Sequence, residues 1–366
     1  MRPATIQGAL LLVGFAIAGQ ACSPNFYFTD AIQHEIPAVD SAVGDKLDIP
    51  VTWIPCCSAG FADGVTWSSA GDRVIVAGQA LQSLRYSVWS ADVADRTVKT
   101  HLTMTGSIYG VACYPGNPNC QVGTNPGSIL RATPTWDTTT VATSSWRFMG
   151  SPDGQFVLYP DGVGSAVVEM ATKVKRKIVI PLYLAAAMSP GATEVASLPG
   201  TPGLVSRFEV ATGKTKSWIA PPRLGWGVNR IQRVAYVGAV MYVLVESDSA
   251  GIVRYDEYAT DLGTEIMIGK RPKGSLLSTD LPTISWRPEQ HRLVLRRRSE
   301  CTVDVPDTYC TGVQHELEVL ENGTTRRVAR MNTQQVSTVS LSPDGRFVAY
   351  GFWAGSGMAI YLKKLP

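Results

Sequence analysis

The residues able to do chemistry here are few, and their spacing favours stapled loops over catalysis. Apart from Cys22 there are six cysteines, and none has the Cys-x-x-Cys spacing of a zinc or redox site. Cys113 and Cys120 flank a proline-containing loop, as do Cys301 and Cys310, so each pair suits a local disulfide in an oxidising compartment. Cys56 and Cys57 are adjacent. A bond between neighbours is strained, so a vicinal disulfide, free thiols and other pairings all stay open. The four histidines, His34, His101, His291 and His315, are scattered. A Gly-x-Ser-x-Gly elbow is absent, as are zinc-protease, phosphate-loop and calcium-loop words. The expectation is therefore no catalytic residue, no resident metal and no cofactor. The acidic run Asp40, Asp45, Asp48 is irregular and reads as solvated loop. One loop stands out for recognition: the Cys301–Cys310 segment is long and carries Asp304 and Asp307.

The N-terminus supplies a different chemistry. Arg2 is followed by an apolar stretch from Ala9 to Ala18, too short to remain as a membrane span, so residues 1–21 read as a signal peptide. Gly19-Gln20-Ala21-Cys22 resembles a bacterial lipobox, with glycine where that motif usually has leucine. The resemblance implies acylation of Cys22, with Ser23 directing the chain to the outer membrane. Plain secretory cleavage after Ala21, leaving Cys22 free, is the alternative. Residues 22–44 read as a tether.

Beyond the signal about 340 residues remain, ample for a large core. The formal charge of +3 is small for that length and points away from nucleic acid. Lys173-Val174-Lys175-Arg176-Lys177 and Arg296-Arg297-Arg298 are basic but sit in β-rich stretches, where they read as solvated strand edges.

Internal repetition sets the fold class. Ser151-Pro152-Asp153-Gly154 and Ser342-Pro343-Asp344-Gly345 are tight-turn words, each running into an apolar strand. Weaker copies put Trp67, Cys113, Gly150, Met188, Val237, Trp286 and Leu341 in equivalent positions, 37 to 55 residues apart. That is the length of a four-stranded blade, so residues 45–366 are expected to form an all-β, seven-bladed propeller. Later turns such as Glu321-Asn322-Gly323-Thr324 close the outer hairpins. The chain ends without a fourth strand for the last blade, and Lys46–Trp53 is the expected substitute, with Pro50 marking an edge or bulge. Trp67 and Trp286 are expected to pack between blades. Trp146, Trp226 and Trp353 fall nearer strand ends, where a propeller's mouth could expose them.

The Ser-Pro-Asp-Gly words followed by apolar strands resemble the WD40-like repeats of the TolB propeller and related periplasmic proteins, over residues 63 to 366. TolB itself has six blades and a separate N-terminal domain, so the resemblance is to the repeat type. Ala211-Thr212-Gly213-Lys214 with Trp218 is also similar to a single quinoprotein-type repeat. The resemblance implies the propeller and no particular function. The anchor, the repeats and the absence of catalytic words point to a non-catalytic scaffold at the cell envelope that docks a protein or peptide on one propeller face and meets the membrane only through its lipid. The alternative is a propeller enzyme, a lactonase-like hydrolase or a quinoprotein-type oxidoreductase.

Overall fold

The turn words fold as their chemistry dictates. In Ser151–Gly154 the Gly154 N–H bonds the Ser151 carbonyl at 2.8 Å, while the Ser151 hydroxyl donates to Asp153 and accepts the Phe156 N–H at 3.0 Å. Ser342–Gly345 repeats the pattern, with Phe347 N–H on the Ser342 hydroxyl at 2.9 Å. Gly154 and Gly345 have φ of 66° and 68°, values that a Cβ resists. Ser68 and Ser189 cap equivalent turns, accepting the N–H of Arg73 and Glu194. These side-chain bonds replace backbone partners that a two-strand reversal loses.

The computed structural model describes residues 44–365 except 56–62, 82, 84, 126, 144–147, 163, 181–185, 200, 221–229, 250–251, 261–263, 272–283, 301–312, 322–323, 333–335 and 355–356. Among the described residues the strands form seven antiparallel sheets, the blades of a seven-bladed β-propeller. Blades 1 to 6 follow chain order, and their innermost strands end at Trp67, Cys113, Gly150, Met188, Val237 and Arg287. Blade 7 begins with Val336–Leu341. Helix is confined, among the described residues, to two short 3-10 turns, Pro190–Ala192 and Pro288–Gln290.

The core lies between neighbouring blades. Leu244 and Tyr255 of blade 5 meet Leu293 and Leu320 of blade 6. Ile75 and Val88 of blade 1 meet Val111, Val122 and Leu130 of blade 2. Each such side chain contributes about 1.5–3 kcal/mol by leaving water. Trp67 is fully buried and donates its indole N–H to the Ser340 carbonyl at 3.2 Å, fastening blade 1 to blade 7.

The N-terminal segment does two jobs, where the sequence suggested one. Asp45–Leu47 pairs antiparallel with Ile360–Leu362 as the outermost strand of blade 7. The chain then bends through successive bonds from Ile49 N–H to the Leu47 carbonyl and from Val51 N–H to the Ile49 carbonyl. Pro50, lacking an N–H, cannot extend the ladder, and Val51–Trp53 crosses to blade 1 instead. There it pairs with Gln79 and Ala80, while Val65–Trp67 pairs with Val74–Val76 of the same strand. The innermost strand of blade 1 is thus made of two pieces, and between them the Gly64 N–H bonds the Pro55 carbonyl at 3.1 Å.

Candidate functional site

An antiparallel four-stranded blade sends its first and third turns to one end and its middle loop and outgoing crossover to the other. The two ends of this propeller do different work.

At the base, the end with the serine-capped turns, polar groups bind blade to blade. Glu194 of blade 4 takes a bidentate contact from Arg207, at 2.5 and 3.1 Å, and the hydroxyl of Tyr236 from blade 5. Burial, then the Glu194 carboxylate, pushes the Tyr236 phenol far above its usual range. Glu257 of blade 5 is fully buried and accepts the Trp286 indole N–H at 2.8 Å and faces His291 Nδ1 at 2.6 Å, both from blade 6. Burial raises its carboxyl pKa against the pull of those two partners. Tyr114 of blade 2 accepts the Gly150 N–H at 2.7 Å, Asn117 reaches the Asp153 carbonyl at 2.9 Å, and Asp153 takes the Gly191 N–H at 2.8 Å. Groups that could serve as acids or bases are here engaged in holding the ring.

A hydroxyl–imidazole pair lies on the rim of blade 1. Ser90 Oγ and His101 Nε2 are 2.7 Å apart, and the imidazole stacks on Trp136 of blade 2 at 4.8 Å. Desolvation, then Lys99 and Arg73, bring the His101 pKa down to about 4. A base that weak, bonded to a hydroxyl that is itself buried, packs the rim and is ill suited to activating a nucleophile. Among the described residues no group of three His, Cys, Asp or Glu side chains is placed to hold a metal ion.

The opposite, loop-rich end carries the arrangement best suited to binding. Trp53, Gln79, Tyr86 and Met104 are successive register partners across the four strands of blade 1, so their side chains form one row on one face. All four are half-buried. The Trp53 and Tyr86 rings meet edge to face, with centroids 6.1 Å apart and planes at 83°. Gln79 lies between them in register, its amide on the Ser83 carbonyl at 3.2 Å. Thr52 donates to the Gln79 carbonyl at 3.2 Å, and Leu81, 45% exposed, borders the row with its N–H on the Pro50 carbonyl. Gly78 makes the approach possible, because a Cβ there would stand 2.3 Å from the Trp53 carbonyl oxygen. Tyr86 and Met104 also pack against the core between blades 1 and 2, so what the row leaves to solvent is its outer margin of aromatic edges and thioether, with the Leu81 tip beside it.

Of the sequence-derived candidates, Cys113 and Cys120 are bonded to each other, across the first hairpin of blade 2. Cys22, Cys56, Cys57, Cys301, Cys310, Asp304 and Asp307 lie outside the described residues, as do Trp146 and Trp226. Trp353 falls in the strand Phe347–Ala354, with its side chain outside the description. Trp286 packs between blades 5 and 6. Sequence reading took Trp53 for the end of a closing strand and passed over Tyr86. The available signal was Trp53 standing just after Pro50, where a ladder has to break.

No protein-family model matches the chain, and no curated protein does. Solved structures share its fold. An oligogalacturonate lyase in complex with manganese is similar at TM-score 0.57 and 11% identity, covering 88% of this chain and 98% of that one. Kuenenia stuttgartiensis hydrazine synthase gives 0.53 at 15% identity, covering 88% and 97%. A chain of the mitotic checkpoint complex gives 0.52 at 12% identity, covering 92% and 98%. At such identities the likeness is one of architecture, the β-propeller, across proteins whose work is unrelated.

Proposed function

We propose that this protein is a non-catalytic binding scaffold of the cell envelope, held to the outer membrane through Cys22, which docks a peptide segment of a protein partner on its loop-rich face. The observation that carries the reading is the half-buried row Trp53, Gln79, Tyr86, Met104 with Leu81 at its border. Aromatic and methionine side chains left partly in water at a loop-rich end suit apolar anchors of a partner, and the Gln79 amide supplies direction. At the base, the described polar groups are spent on blade contacts.

Site-specific photo-crosslinking in intact envelopes tests it. A photoreactive residue at Leu81 is expected to trap a discrete partner, and one at Val174, at the base, is not. Trp53→Ala with Tyr86→Ala should abolish the Leu81 product. Equal trapping at both positions, or a Leu81 product indifferent to the double substitution, sinks the docking site. Mass spectrometry of the mature N-terminus checks the anchor, with an acylated Cys22 expected.

A further inference from the structure

The outermost strands of blades 3 and 4, Lys175–Ile178 and Thr215–Ile219, carry side chains that packing does not explain. Four large apolar residues are exposed among the described ones, and three of them lie here: Val179 at 88%, Ile219 at 69% and Val174 at 53%. Leaving such groups in water forgoes their burial energy. Around them stand Lys173, Lys175, Arg176 and Lys177 on blade 3, and Lys214 and Lys216 on blade 4, all exposed. Three carboxylates answer these six cations. Asp161 meets Lys175 at 3.0 Å and Lys177 at 3.7 Å, while Glu169 and Glu209 accept hydroxyls in their own turns.

Lysines on an open edge keep other strands away, which accounts for the cations but not for the aliphatics. The placement accounts for both. Each outer strand leaves a base turn and runs toward the loop-rich end, so Val179 and Ile219 finish at the same end of adjacent blades. Long basic side chains flank two aliphatic tips across a convex rim. That pairing suits a surface with anionic headgroups above an apolar layer: the cations meet phosphates while the tips enter the boundary.

We propose that this rim rests on an anionic lipid bilayer. The contact goes beyond peptide docking and does not require it, because the rim and the row lie on different blades. It also adds an electrostatic and apolar element beside the lipid anchor proposed at Cys22.

The test uses the full chain with Cys22→Ser, so that no lipid is attached, and cosedimentation with phosphatidylcholine vesicles with or without phosphatidylglycerol. About tenfold more protein is expected on the anionic vesicles, falling as salt rises. Lys173→Glu, Arg176→Glu and Lys216→Glu together should remove that excess, and Lys99→Glu on the rim of blade 1 should keep it. Val179→Ser with Ile219→Ser should weaken binding severalfold without changing the charge. Equal binding to both vesicles overturns the proposal, as does an equal loss from Lys99→Glu. Undiminished binding of the serine pair would mark a plain polyanion strip and overturn it too.

Discussion

The carboxylate of Glu257, on the third strand of blade 5, accepts the indole N–H of Trp286, on the innermost strand of blade 6, at 2.8 Å. A fully buried carboxylate thus joins two blades, with His291 on its other oxygen. Glu257→Leu leaves the Trp286 indole N–H without its acceptor and His291 Nδ1 without its partner, and should cost about 2–3 kcal/mol in chemical denaturation.

The same carboxyl gives a pH signature. Burial raises its folded pKa above the ordinary 4.5, so the folded state holds the proton more tightly than the unfolded chain does. Its contribution is full below pH 4.5 and is lost as pH climbs through the raised value. Glu257→Gln cannot titrate. Melting temperatures of wild type relative to Glu257→Gln should therefore fall between pH 4 and pH 8, and a constant difference would show that Glu257 keeps an ordinary pKa.

His101 works in the opposite direction. Its pKa is depressed from 6.5 to about 4, so the unfolded chain takes up the proton first as pH falls. Stability tied to the neutral ring is present above pH 6.5 and is lost as pH drops toward 4. Imidazole resonances followed by NMR should show His101 uncharged at pH 5.5. His101→Phe should flatten part of the acid-side loss of stability.

Tyr114→Phe removes one oxygen, the acceptor of the Gly150 N–H at 2.7 Å. The Gly150 N–H then has no partner at the junction of blades 2 and 3, a loss of about 1–2 kcal/mol. Urea titration should show a lower midpoint with an unchanged slope, since the exposed surface is the same.

Replacing Cys113 and Cys120 by serine opens a loop with a sequence separation of 7. Chain entropy assigns such a closure about 2.5 kcal/mol. Dithiothreitol should lower the melting temperature of the wild type by more than that of the double-serine protein.

Gly78→Ala should separate the row from the ring. The new Cβ would stand 2.3 Å from the Trp53 carbonyl, displacing the Val51–Trp53 piece while Val65–Trp67 holds the rest of the inner strand. Unchanged far-UV circular dichroism together with a lost Leu81 crosslink is the expected pair of results.

Much of the architecture was legible because its signals are local. The serine, aspartate and glycine of each sharp turn bond within five residues, so Ser151 and Ser342 announce their hairpins without help from distant chain. Six of the seven residues aligned as repeats end their innermost strands, and Trp286 stands one residue short of an end. The row across blade 1 was not legible, because it depends on register. Trp53 meets Gln79 only after Pro50 diverts the chain, and the other half of that inner strand starts at Val65. Likewise, the lysines of 173–177 read as an ordinary solvated edge until Val179 and Ile219 were found exposed at matching ends of neighbouring strands.

The pairing of Asp45–Leu47 with Ile360–Leu362 also orders events in time. During synthesis the first strand leaves the ribosome almost a whole chain length before its partner exists. Blades 1 to 6 can gather locally as they emerge, but blade 7 stays one strand short until the last residues arrive. Locking the circle is therefore a late, long-range step, slow by the entropy of bringing the two ends together. Until that final strand is in place, Asp45–Leu47 has no ladder to join and the ring stays open.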